Sequence, residues 1–200
     1  MRSPLRFALA LSICAACASS PKPVAKADDS SAGGGEDGKL TEERKGDEIV
    51  KEYDLNHDKK ADVWKYYVVA KDEAGKPVER LTRKEMDLNG DGKIDVWRYY
   101  DEKEQLTKEA IDFDFDGKID EILYYELGQV VRKEKKFDDK HQPHMWTYYE
   151  KGKIVRIEKD VKGTGKVDYW EYWESGQIDR IGEDLNGDGV VDKWTKRQAE

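Results

Sequence analysis

From residue 47 onward the chain repeats itself, and this limits its fold more than any other feature. With the aromatic positions in register, the units begin DLNHDKKADVWKYY at Asp54, DLNGDGKIDVWRYY at Asp87 and DFDFDGKIDEILYY at Asp112. They continue KFDDKHQPHMWTYY at Lys136, DVKGTGKVDYWEYW at Asp160 and DLNGDGVVDKWTKR at Asp184. The starts lie 33, 25, 24, 24 and 24 residues apart, the first gap being lengthened by an insertion over residues 68–76. A fixed period in this range means that each unit is one supersecondary element stacked on its neighbours.

Each unit reads as a β-hairpin. Met145 to Tyr149 alternates, Lys151-Gly152 supplies a two-residue turn, and Ile154 to Glu158 alternates again. Leu127-Gly128 and Ser175-Gly176 occupy the same place, and X-Gly suits a turn that demands positive φ. Folding about Lys151-Gly152 predicts the pairs Tyr149–Ile154, Tyr148–Val155, Thr147–Arg156 and Trp146–Ile157. One face then carries Trp146, Tyr148, Val155 and Ile157, the other Thr147 and Arg156. Folding about Ser175-Gly176 likewise groups Trp170, Tyr172 and Ile181 and sets Glu171 opposite Arg180. The expectation is a buried aromatic face and a solvated charged one. Tyr67, Tyr100, Tyr125, Tyr149 and Trp173 fall on the charged face near the hairpin tips, as candidates for an exposed contact row. Arg83, Arg132, Arg156 and Arg180, with Lys108, recur four residues before each loop and read as partners of cross-strand acids. The fold class is all-β: an antiparallel up-and-down meander of about twelve short strands built from 24-residue hairpins, as an open twisted sheet or a barrel-like one.

The loops carry the chemistry. Asp87, Asn89, Asp91 and Asp95 stand at loop positions 1, 3, 5 and 9, with Gly92 at position 6 and the carbonyl of Lys93 at position 7. Asp112, Asp114, Asp116, Lys118 and Asp120 repeat the set, as do Asp184, Asn186, Asp188, Val190 and Asp192. Asp54, Asn56, Asp58 and Asp62 keep the four oxygens but have Lys59 in place of glycine. Oxygen ligands at alternate positions of a tight loop suit Ca2+, which takes six to eight oxygens at roughly 2.3–2.6 Å. Mg2+ prefers a tighter octahedron and is the weaker candidate. Asx turns that only bond nearby backbone are the alternative. The loop at Asp160 has Lys162 and Thr164 at positions 3 and 5, and the loop at Lys136 has lost the pattern; neither is expected to hold a metal. The start of each full loop resembles an EF-hand loop, without its closing acid or its helices. A closer resemblance is to the Asp-x-Asn/Asp-x-Asp-Gly-x-x-Asp loops of the FG-GAP repeats in integrin α-subunits, over the loops alone.

Ahead of the repeats the chain changes character. Arg2 and Arg6 precede an apolar run from Phe7 to Ile13, and Ala15-Ala16-Cys17 closes it. This run is too short to remain as a membrane helix and reads as an export signal. The junction resembles a bacterial lipobox, which implies cleavage after residue 16, a lipid on Cys17 and a place in the bacterial cell envelope. Ala18 resembles the outer-membrane sorting signal of enterobacteria. The division is therefore 1–16 signal, 17–46 lipidated cysteine and flexible linker rich in Ala, Ser, Pro and Gly, and 47–200 repeat domain. Both cysteines lie at the junction, so the repeat domain has neither a disulfide nor a thiol catalyst.

Charged residues make up 40% of the chain, and its formal charge of −8 becomes −10 without Arg2 and Arg6. Six Trp and eleven Tyr argue against disorder, and the acidic balance argues against nucleic acid. His57, His141 and His144 form no catalytic grouping, and the insertion at 68–76 brings no nucleophile. The reading is a non-catalytic, calcium-binding structural or binding module, anchored to a membrane by its lipid. The alternative is a protein that binds envelope polysaccharide, another envelope polymer or protein through exposed aromatics.

Overall fold

The computed structural model describes residues 38–136 and 142–197. The signal segment 1–16, Cys17 and most of the linker lie outside the described residues, as does His141. Thirteen strands follow one another: β1 (Lys39–Lys45), β2 (Glu48–Tyr53), β3 (Val63–Lys71), β4 (Pro77–Met86), β5 (Val96–Tyr100), β6 (Leu106–Ile111) and β7 (Glu121–Glu126). Next come β8 (Gln129–Lys136), β9 (Pro143–Glu150), β10 (Lys153–Lys159), β11 (Tyr169–Glu174), β12 (Gln177–Glu183) and β13 (Lys193–Lys196). Each pairs antiparallel with the next, in the order β1 to β13. The sheet is an open meander, because β1 and β13 remain at opposite edges rather than closing a barrel.

Strand β1 lies inside the segment read as linker. Its sequence, KLTEERK, has no apolar periodicity and hides the strand from a hydrophobic reading. Backbone pairing with β2 is enough on a sheet edge, where charged side chains stay in water. The Gly38 carbonyl accepts from the Asp54 amide at 2.7 Å and so starts the ladder of loop bonds described below.

The hairpin tips are as expected. Lys151 and Gly152 have φ of 51° and 74°, and Ser175 and Gly176 have 53° and 81°, the positive pair that a type I′ turn requires. The register beyond the tips is not as expected. Ile154 pairs with Tyr149, but Arg156 then pairs with Tyr148, Ile157 with Thr147 and Glu158 with Trp146. Val155 is an extra residue, a β-bulge. The same shift falls at Thr82, Thr107, Val131 and Asp179. Glu171 consequently pairs with Ile181, and Tyr172 with Arg180.

The bulge overturns the expected faces. Thr147 is 3% exposed and Ile157 7%, on the same face. Trp146 and Tyr148 share the opposite face with Arg156 and Glu158, and both aromatics are half-buried. Two rows run across this aromatic face. Nearer the loops the row runs Trp64, Glu85, Trp97, Ala110, Ile122, Glu134, Trp146, Glu158 and Trp170, and nearer the tips Tyr66, Tyr99, Tyr124, Tyr148 and Tyr172 alternate with Arg83, Lys108, Arg132 and Arg156. Arginines lie over tyrosine rings at 3.8 Å for Arg83–Tyr66, 4.0 Å for Arg132–Tyr124 and 4.1 Å for Arg156–Tyr148. Each such stack contributes about 0.5–1 kcal/mol at a partly exposed site. The acid partner of each arginine stands two residues along its own strand, as in Arg156–Glu158 at 3.1 Å, not across the ladder.

Neither face is a sealed core. The buried apolar residues among those described are Ala110 and Ile122 on the aromatic face and Ile49, Val63, Val96 and Ile157 on the other. Among the described residues no second layer covers either face. Long side chains shield one another along cross-strand rows, each pair worth about 0.2–1 kcal/mol. Tyr67 and Tyr125 lie opposite the aromatic face, as expected, but are half-buried rather than exposed.

Candidate metal centre

The nine-residue loops line one end of the sheet and are joined to each other. The amide of position 1 donates to the carbonyl of position 9 in the loop before: Asp87 to Asp62, Asp112 to Asp95, Asp160 to His144 and Asp184 to Asp168, all at 2.8–2.9 Å. Within each loop the first and last acids bind the backbone. Asp87 accepts from the Gly90 and Gly92 amides at 2.7 and 2.8 Å, and Asp95 accepts from Leu88 at 2.6 Å. Asp112 and Asp120, and Asp184 and Asp192, do the same. Position 1 is therefore almost fully buried, with Asp112 1% exposed and Asp184 2%.

Positions 4 and 6 both adopt positive φ: 76° and 87° at Gly90 and Gly92, but also 65° and 72° at His57 and Lys59. Glycine at position 6 was the visible half of this requirement. Lys59 meets it without glycine, its amide held by Asp54 at 2.8 Å, so the first loop keeps the common shape.

The degenerate loop separates shape from ligation. Asp160 still accepts from Thr164 and Gly165, and Asp168 from Val161 and Lys162, at 2.6–2.9 Å. Positions 1 and 9 thus build the loop whether or not positions 3 and 5 are oxygen acids. The Lys162 ammonium reaches the Asp184 carbonyl of the next loop at 2.7 Å. Burial opposes ionisation of Asp184, but amide bonds from Gly189 and Gly187, with the Lys162 charge, outweigh it and hold the carboxyl below its usual range.

Positions 3 and 5 then distinguish the loops. Asn89, Asp91, Asp114, Asp116, Asn186 and Asp188 each accept from the backbone amide two residues on, at 2.8–3.2 Å; these amides include those of Lys93, Lys118 and Val190 at position 7. A carboxylate oxygen has a second lone pair left for a cation. In the last loop the Asn186 amide donates to Asp188 and Asp192 at 3.2 Å each, and in the first Asn56 donates to Asp62 at 3.3 Å. There the amide N–H already answers part of the negative charge. The third loop has Asp114 at this position. Asp112, Asp114 and Asp116 present carboxylate oxygens within 4.8 Å of one another, the one such acid triad among the described residues. Oxygens up to about 4.8 Å apart can both touch an ion bonded at about 2.4 Å, so this loop fits a hard divalent cation. Lys118 lies 3.3 Å from Asp116 on the exposed side.

No protein-family model matches the chain, and no curated protein matches it. Among solved structures, TarM aligns over 64% of this chain and 20% of its own, with 15% identity and a TM-score of 0.33. A mutant of S. aureus TarM, crystallised with Fondaparinux, alpha-GlcNAc-glycerol and UDP, aligns over 56% and 20%, with 17% identity and a TM-score of 0.35. The chain spans only 20% of the length of either structure, and at these scores the likeness assigns neither family nor activity.

Proposed function

We propose that this chain is a non-catalytic, calcium-binding repeat module, held at a bacterial envelope membrane by a lipid on Cys17. The observation that carries the calcium reading is the convergence of Asp112, Asp114 and Asp116 on one point. Three carboxylates in so small a volume repel each other. A cation that binds only the closed loop then stabilises the sheet by RT ln(1 + [L]/Kd). Asp87, Asn89, Asp91 and Asp95, Asp184, Asn186, Asp188 and Asp192, and Asp54, Asn56, Asp58 and Asp62 are the further loop sets. Of these, Asn186 and Asn56 donate to loop carboxylates and must turn the amide oxygen inward to join the shell. The anchor rests on the Ala15-Ala16-Cys17 junction in the sequence.

Thermal unfolding with calcium, with magnesium and with chelator tests the metal. Calcium is expected to raise the melting temperature, magnesium to raise it less. A melting temperature indifferent to all three, with no heat of calcium binding, would reduce the loops to plain turns. Membrane fractionation tests the anchor: Cys17→Ser is expected to release the protein, and equal membrane association of both forms would refute lipidation.

A further inference from the structure

The repeat breaks at Arg180, in two ways at once. Arg83, Arg132 and Arg156 each face a glutamate two residues on, at 3.0–3.1 Å. The equivalent residue after Arg180 is Gly182. A Cβ there would lie 3.0 Å from Val191 Cγ2 and 3.1 Å from Trp194 Cζ3, so the indole closes over the backbone where three other repeats carry Glu85, Glu134 or Glu158. Arg180 has no ion pair or hydrogen bond to an acid among the described residues. Directly across the ladder, Arg83, Arg132 and Arg156 meet Tyr99, Tyr148 and Tyr172, but Arg180 meets Lys196. Like charges directly opposed destabilise a sheet, and an anion between them would reverse the sign.

The surroundings hold this cation in place. The Arg180 guanidinium lies 4.6 Å from the Tyr172 ring and 5.1 Å from the Trp194 ring, with the two rings 5.8 Å apart. Stacking engages the faces of the guanidinium and leaves its N–H edge for hydrogen bonds. Trp194 is 49% exposed on the last strand: its Cζ3 lies against Gly182 and about half of the residue meets solvent. In a chain of net charge −8, two cations with no acid partner among the described residues, beside a half-exposed indole, match a ligand that is anionic and also offers a flat array of C–H groups.

We propose that Arg180, Lys196 and Trp194 form a subsite for an acidic sugar, its carboxylate between the two cations and its pyranose ring against the exposed part of the indole. This gives the envelope-polymer reading of the sequence a location and rests on that reading, not on calcium. The test is an NMR titration of the whole chain with trigalacturonic acid, in excess chelator so that no calcium bridge forms, with maltotriose and acetate as controls. The Trp194 indole N–H is expected to shift saturably with the uronate and not with either control. Arg180→Gln, an exposed change, is expected to weaken binding about tenfold, the loss of one charge-assisted hydrogen bond. Trp194→Phe, which keeps an aromatic ring over Gly182, is expected to weaken it by a smaller factor. An equal response to acetate would mean a bare anion site, and an equal response to maltotriose a bare aromatic platform; either overturns the proposal. So does uronate affinity unchanged in Arg180→Gln. Uronate binding that shifts other aromatic residues and leaves Trp194 still would remove this site while keeping the polymer reading. No binding to any saccharide would remove both.

Discussion

Asp114 is where a single side chain decides between two kinds of loop. With Asn at that position, as at Asn56 and Asn186, the amide N–H group faces a neighbouring acid; with Asp, a third carboxylate faces two others. Unit charges about 4 Å apart repel by about 1 kcal/mol in water. Asp114→Asn is therefore expected to raise the melting temperature in chelator and to lower calcium affinity, opposite signs from one change. Melting curves with and without calcium, with titration calorimetry, check it; a variant less stable in chelator would contradict the repulsion argument. Tyr125 sets a second, pH-dependent expectation. Burial, then the charge of Glu109 and the hydrogen bond to it at 3.0 Å, push its hydroxyl up to about 12. The unfolded chain releases this proton near pH 10. The contribution is thus complete below about pH 10 and lost as pH rises toward the folded value. Tyr125→Phe is expected to flatten part of the alkaline decline in melting temperature between about pH 10 and 12, with no change in the acid limb.

Within the hairpin, the bulge is the device that a simple fold about the turn misses. The signal was present as a length mismatch. Strand β11 has six residues and β12 seven, yet both run between the same turn and the same row of loops. If both are to end flush, so that Asp184 can donate to the Asp168 carbonyl, the longer strand must carry an extra residue. Alternating hydrophobicity showed that a hairpin exists, and Gly152 and Gly176 showed where it turns. Alternation could not reveal the face, because both faces are mixed: Thr147 and Glu171 are buried while Trp146 and Trp170 are half-covered. The test compares two aliphatics that a bulge-free register places on one face. Ile157→Ala is expected to cost about 2–4 kcal/mol, as for a buried aliphatic, and Val155→Ala, in the bulge, under about 1 kcal/mol. Denaturant melts read both; equal costs would restore the bulge-free register.

Across the molecule, the repeat made the architecture legible and the composition concealed its edge. The 24-residue spacing yields the meander, whereas β1, with six of its seven residues exposed, carries no apolar pattern to announce it. Each strand touches only its sequence neighbours, so stability is built from nearest-neighbour terms. Amide hydrogen exchange is expected to be slowest in the strands from β4 to β10 and progressively faster toward β1 and β13; uniform protection from edge to edge would show a cooperativity that the topology does not supply.

The bonds that join position 1 of each loop to position 9 of the one before are the same at Asp87, Asp112, Asp160 and Asp184. Each of these four loops is therefore docked onto its predecessor by the same joint, whether or not its positions 3 and 5 carry acids. Two strands advance the sheet by about 9.5 Å, so successive loops mark that distance like graduations on a rule. The number of graduations is a matter of copying: a gene that duplicates or drops one 24-residue unit would lengthen or shorten the rule by one mark, with every remaining joint already made.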